Sequence, residues 1–307
     1  MINKSNIVKR KVIKQGNNTL TMTLPRSWTN DFNLQQGDEL NIDIRGNNLI
    51  LSTDNLINFD SKTKDISKLN SILPLVLMSL YRKGYDEIEL KFNQANNIII
   101  IQNILKEGTG YHITDHSINS CKLKSLSDVK DVNFNDMLRK LFILIKMKLE
   151  KITLAINEKE ISGLQSLIAM NTLPAKMTNF CLRLISKGSL KDMAHQYYQI
   201  VIGLENLDNQ LNIFLSQLLD SSLNLTSKLL ISAINEFNDL FVKFYNAFHS
   251  SNSYSLVHLM NEKENMATKF HLISDNLNNS ENSIFLSLNN GFLHFNEILT
   301  AAFIIGL

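Results

Sequence analysis

The stretch from Arg10 to Ser52, RKVIKQGNNTLTMTLPRSWTNDFNLQQGDELNIDIRGNNLILS, decides how the chain begins to fold. Thr19 to Leu24 alternates, with Leu20, Met22 and Leu24 on one face and three threonines on the other. Leu40, Ile42 and Ile44 alternate in the same way against Asn41, Asp43 and Arg45. A period of two with one polar face predicts half-buried strands. GNN at 16–18 and again at 46–48 supplies turn residues that tolerate positive φ. Pro25 ends the second strand and can open a short helix, on which Trp28 and Phe32 stand four apart and share a face. QQGDEL then turns the chain back into a strand. The pattern is β-β-α-β-β, in a segment too short to bury a good core alone. Such a unit is completed by a partner.

Charge is concentrated in the same segment. Lys4, Lys9, Arg10, Lys11, Lys14 and Arg26 all precede the first acid, Asp31. The whole chain carries a formal net charge of only +2 over 307 residues, so non-specific nucleic-acid binding by the entire surface is not expected. A local positive excess is instead the footprint of a polyanion partner. The same lysines also suit solvated strand edges guarded against aggregation.

Other features bound the function classes. The longest apolar stretches, SILPLVLMSLY and ILTAAFIIGL, reach about half a bilayer span. The N-terminus has no apolar signal region. Cys121 and Cys181 form no CxxC pair, which suits a reducing cytosol. A cytoplasmic location is therefore expected. No Gly-rich phosphate loop, G-x-S-x-G or H-E-x-x-H occurs, so no enzyme activity and no cofactor are expected.

Residues 56–133 mix helix and strand. Ile66, Leu69, Ile72, Leu73 and Val76 recur at helical spacing. YRKGYDEIELKF reads as a helix end, a stop at Gly84 and a strand. Asn97 to Lys106 reads as a helix, although its IIII run allows a strand, and YHITDHS with CKLKSL reads as a hairpin. His112 and His116 share one face of a short strand, but no third or fourth metal ligand accompanies them.

Residues 134–307 are nearly all helix, interrupted by Pro174. Leu138, Leu141, Ile145, Leu149, Ile152 and Ile156 trace an amphipathic stripe. Polar breaks cut the region into six segments, as in a helical bundle, and three helices followed by three more suggest a duplication.

Two resemblances sharpen these readings. The RKVIKQG strand, the TMTLPRSW junction, the L-x-x-GD turn and the closing LILS resemble the AbrB/SpoVT swapped-hairpin domain, in which two chains interlace hairpins into one barrel. YYQIVIGLENLDNQLNIF, residues 197–214, resembles the third-helix signature of PhoU-type domains, and FCLRLISKG resembles the end of the preceding helix. The middle region resembles the linker of archaeal proteins that join an AbrB-like domain to a PhoU-like domain. The resemblance implies three domains, 1–52, 56–133 and 134–307, of a multidomain α+β chain: a swapped-hairpin β-barrel, a small α/β domain, and an all-α six-helix bundle of two three-helix repeats.

PhoU-type repeats often carry E/D-x-x-x-D motifs that hold iron or zinc, and this sequence departs from them. Glu205 is followed four residues on by Asn209, with Asp208 three on; Asn289 and Leu293 replace the pair in the second repeat; Glu262 and Glu264 do not converge on a helix. No metal site is expected, and Glu205 and Asp208 read as a solvated or hydrogen-bonded face.

The resemblance implies a homodimeric, DNA-binding regulator of phosphate uptake, with Lys9, Arg10, Lys11, Lys14 and Arg26 on double-stranded DNA. Alternation sends Lys9 and Lys11 to one strand face and Arg10 and Lys14 to the other. The alternative is an accessory protein that docks on a phosphate transporter or a signalling kinase, with the first domain serving only to dimerise.

Overall fold

A computed structural model describes residues 8–16, 19–45, 48–53, 61–94, 96–108, 110–125, 133–169, 172–188, 190, 193–220, 227–250, 253–274, 277 and 279–306. Two compact units make up the chain, Met1–Asn58 and Phe59–Leu307.

The first unit follows the order β1 (Ile13–Gln15), β2 (Thr19–Thr21), α1 (Arg26–Asp31), β3 (Leu40–Arg45) and β4 (Asn48–Thr53). β1 pairs antiparallel with β2, and β3 with β4, as two separate two-stranded sheets. The β-β-α-β-β order read from the alternation is therefore present. Its strands are shorter than the alternation suggests. β2 ends at Thr21, so Met22 and Leu24 lie beyond the ladder, and Lys9 to Val12 precede it. A strand lasts only as long as a neighbour satisfies its backbone, and β1 and β2 offer each other three residues. Pro25 is the N-cap of α1. Trp28 and Phe32 do share a face, their ring centroids 5.6 Å apart. In the QQGDEL turn Gly37 takes φ +102°, a conformation that favours glycine, and Asp38 accepts a 2.7 Å hydrogen bond from the Gln35 amide. The loop tips at 17–18 and 46–47 lie outside the described residues.

The second unit joins a four-stranded sheet to a helical region. Its sheet elements are β5 (Ser61–Asp65), α2 (Leu73–Arg82), β6 (Glu87–Lys91), α3 (Asn97–Gly108), β7 (Tyr111–His116) and β8 (Ser120–Ser125). Strand order is β5-β6-β8-β7; β5 and β6 run parallel and the other pairs antiparallel. The sequence pattern did not reveal β5, because SKTKD has no apolar residue and all five positions are exposed at the sheet edge. Ile66 and Leu69 do not extend α2 as their spacing suggests. They lie in the connection after β5, where the Ile66 amide bonds the Lys91 carbonyl at 2.8 Å, and Ile66 still drops into the core. The IIII run is helical, within α3. The expected hairpin is β7–β8. Gly84 takes φ +92° between α2 and β6.

The helical region comprises α4 (Phe134–Glu158), a short α5 (Gln165–Ala169), α6 (Thr172–Ser186), α7 (Ala194–Leu218), α8 (Lys228–His249), α9 (Ser253–Ser274) and α10 (Asn279–Gly306). The stripe from Leu138 to Ile156 is buried along α4. Asn133 caps α4 by accepting from the Asn135 amide at 2.9 Å, and Lys159 ends it in the left-handed conformation. Pro174 does not interrupt a helix. It sits in the first turn of α6, where a missing N–H costs nothing. Phe142, Phe237, Phe241, Phe244, Phe292 and Phe295 form an aromatic centre, with most ring pairs tilted or edge-on.

α7 and α10 approach each other closely at Gly203. A Cβ there would meet Ile298 Cγ1 at 2.5 Å. Gly203→Ala is therefore expected to lower stability by about 1–3 kcal/mol, despite alanine's better helix propensity, as read from a shifted midpoint in urea denaturation.

Candidate nucleic-acid interface

The register of β3 and β4 sets Leu40, Ile42 and Ile44 across from Thr53, Leu51 and Leu49. Residues directly opposite in a ladder share a face, so one side of this hairpin is almost wholly aliphatic. That side is not covered within the unit: Ile42, Ile44 and Leu49 are exposed, Ile44 by 74%. On the other hairpin Leu20 is 70% exposed, and Val12, Ile13 and Met22 are exposed too. Among the described residues of the first unit Thr53 alone is buried, and α1 buries none. Fully burying a large aliphatic side chain contributes about 1.5–3 kcal/mol, and the unit leaves that gain uncollected.

All five basic residues read from the sequence are exposed. Lys9, Arg10 and Lys11 lie on the segment ahead of β1, Lys14 is in β1, and Arg26 begins α1. Strand alternation therefore does not sort Lys9 to Lys11 into faces, since they stand outside the ladder. Lys14 is opposite Leu20, on the apolar side of that hairpin. None of the five is ion-paired among the described residues, so their charges are open to a polyanion.

The histidines are not brought together. A β-bulge between Ile113 and Asp115 pairs His112 with Lys124 and His116 with Cys121. Lys124 and Cys121 point to opposite faces of β8, so the bulge separates the two rings that simple alternation places side by side.

The carboxylates of α7 are each held by a cation. Glu205 accepts from Arg82 Nη2 at 2.6 Å. Asp208 accepts from Lys148 Nζ at 2.5 Å and from Asn212 Nδ2 at 3.3 Å. Burial pushes the Asp208 carboxyl up, with Lys148 and Asn212 opposing it. On α9, Glu262 accepts from Lys243 at 2.7 Å, and exposed Glu264 meets Lys263 at 2.9 Å.

A group the sequence did not single out lies where the sheet meets the helices. Arg183 of α6 is 0% exposed. Its Nη1 donates to the carbonyls of Tyr81 and Tyr85 at 3.1 and 2.8 Å, and its Nη2 to Asp86 Oδ1 at 2.6 Å. Lys187 Nζ reaches the other Asp86 oxygen at 2.5 Å. The guanidinium also stacks 4.9 Å from the Tyr81 ring centroid. Tyr111 closes the group, donating its hydroxyl to the Tyr85 carbonyl, and burial pushes that phenol well above its ordinary range. Arg82 adds a 2.7 Å bond to Asn179 of α6. The only sequence signal was a single arginine set among the apolar residues of FCLRLISKG.

Residues 13–55 match the family model described as antidote-toxin recognition MazE, bacterial antitoxin. The match begins at the first residue of β1 and ends just past β4. No curated protein and no solved structure matches the chain. The chain thus opens with a MazE/AbrB-like domain, followed by a mixed sheet and a largely helical region. No helix among the described residues is long and apolar enough to cross a membrane.

Arg183→Met removes one buried donor from Asp86 and from the Tyr81 and Tyr85 carbonyls, while Lys187 still bonds Asp86 and Tyr111 still bonds Tyr85. It is expected to cost about 1–3 kcal/mol, measured by urea denaturation of the full chain.

Proposed function

We propose that the chain is a homodimeric, DNA-binding regulator. Two copies cover each other's exposed hairpin faces, and the paired first units present Lys9, Arg10, Lys11, Lys14 and Arg26 to duplex phosphates. The observation that carries this reading is the uncovered aliphatic face of β3–β4 within a MazE/AbrB-like domain. A second copy of the same hairpin is the partner that buries both faces at once. Pairing doubles the unpaired positive charge and fixes two basic patches at one separation along the duplex.

The second unit is the sensing or partner-binding part. An effector that binds it shifts DNA affinity only by its different affinity for two conformations. Phosphate uptake is the process we assign to the regulator. Support comes from the likeness of residues 197–214 to the third helix of PhoU-type domains, and from the order of an AbrB-like start, an α/β linker and a helical region.

Two measurements test the reading. Ile42→Asp with Ile44→Asp is expected to convert a sedimenting dimer into a monomer, because each copy would bury a carboxylate without a partner. Fluorescence anisotropy on promoter duplexes of phosphate-transport genes is expected to show affinity falling about 10³–10⁵-fold between 50 and 200 mM salt, for about six to ten phosphate contacts per dimer. Replacing Lys9, Arg10, Lys11 and Lys14 with glutamine should abolish most of that binding and flatten its salt slope. Undiminished binding by this variant, or no binding by the native chain at low salt, would refute the DNA role.

A further inference from the structure

The β1–β2 hairpin has two unlike sides. Its register sets Gln15 opposite Thr19 and Ile13 opposite Thr21, with Lys14 and Leu20 on the reverse. The first side carries no charge. Gln15 and Thr19 stand at its end nearest the turn, and both are exposed. Among the described residues no hydrogen bond holds either side chain. The Thr21 hydroxyl is instead turned back onto its own hairpin, donating to the Ile13 carbonyl at 3.3 Å. Ile13, at the far end, is the only aliphatic member of this side. The cations lie elsewhere: Lys9, Arg10 and Lys11 precede β1, Lys14 is on the reverse side, and Arg26 begins α1.

We infer that this uncharged side reads base edges in the major groove, with Gln15 on an adenine and Thr19 beside it. The inference rests on the DNA-binding role proposed above and assigns the sequence specificity of that same site. The major groove admits a two-stranded ribbon. Phosphates are met by cations and carry no sequence information. A carboxamide donates and accepts at once, so glutamine pairs in bidentate fashion with N6 and N7 of adenine. A threonine hydroxyl bonds a base edge, and its methyl packs on that of thymine.

Dimerisation keeps the two sides apart. Covering Leu20 with a second copy is favourable, whereas covering Gln15 and Thr19 there without partners is costly. The polar side therefore stays outward. Lys14 shares the side of Leu20, but its long stem lets the ammonium emerge at the ribbon's edge, where phosphates flank the groove. Each copy supplies one Gln15, so a two-fold dimer reads one adenine in each half of an inverted repeat.

Selection of bound duplexes from a random-sequence library by the full chain tests this. The native chain is expected to enrich an inverted repeat with adenine at one position of each half-site. Fluorescence anisotropy then compares that duplex with a scrambled one. Gln15→Ala is expected to weaken binding to the selected duplex about 10- to 100-fold, while binding to the scrambled duplex and its salt slope stay unchanged. Thr19→Val should act in the same way, with a smaller loss. Gln15→Arg, put through the same selection, should exchange that adenine for guanine, because arginine is bidentate to O6 and N7 of guanine. Circular dichroism and sedimentation check that each variant keeps its fold and dimer. Suppose the native chain binds duplex DNA yet enriches no sequence, or Gln15→Ala leaves the ratio of selected to scrambled affinity unchanged, or Gln15→Arg enriches the same base. The reading side is then wrong, while DNA binding stands. If the native chain binds no duplex at low salt, both fall together.

Discussion

The guanidinium of Arg183 is wholly enclosed, yet three oxygens meet it, one at the end of α2 and two on the turn to β6. A charge in that position is tolerable only while those partners stay in place. The sheet and the helices of the second unit are consequently bound to one geometry: α6 cannot slide along α2 without stranding the charge. Lys187, just past the end of α6, passes over Gly84, where a Cβ would meet its Cγ at 3.3 Å, and takes the second Asp86 oxygen. Arg82 reaches back to Asn179 on α6 and Glu205 on α7. Cations thus run both ways across the seam, and the two regions that look separable along the chain share one compact unit.

The first unit obeys the opposite constraint. It is too small to hide its aliphatic residues, and its hairpins leave Ile42, Ile44, Leu49 and Leu20 facing outward. In a solitary chain those faces are a liability for aggregation. Between two copies they become the adhesive of a shared core. The lack of an internal core is the reason for the dimer we propose, and in that dimer the basic residues of both copies would face one duplex. On the proposed reading, two sets of five cations held at a fixed distance bind a duplex more tightly than one set alone.

The acids of α7 illustrate how a motif is reassigned by its surroundings. Glu205 and Asp208 lie close enough in sequence to invite a cation between them. Each is instead met by a different side chain, Arg82 from the sheet region and Lys148 from α4. One carboxylate ties α7 to α2 and the other ties α7 to α4. The same helix shows the cost of closeness at Gly203, where α10 leaves no room for a Cβ.

Periodicity along the chain determined much of this. The alternation of Leu40 to Ile44 and the turn residues at Gly16 and Gly37 sufficed for the β-β-α-β-β order. The stripe from Leu138 to Ile156 sufficed for α4, because local burial patterns repeat with the geometry of the element that carries them. β5 escaped notice, since an exposed edge strand has no apolar face to advertise it. The spread of His112 and His116 to opposite faces depended on a bulge that pairing with β8 imposes. Arg183 was one more cation in an apolar run until Tyr81, Tyr85 and Asp86, about a hundred residues earlier, were folded against it. Sequence periodicity reports how each segment meets solvent. Which distant partners satisfy a buried charge is decided only when the chain closes on itself.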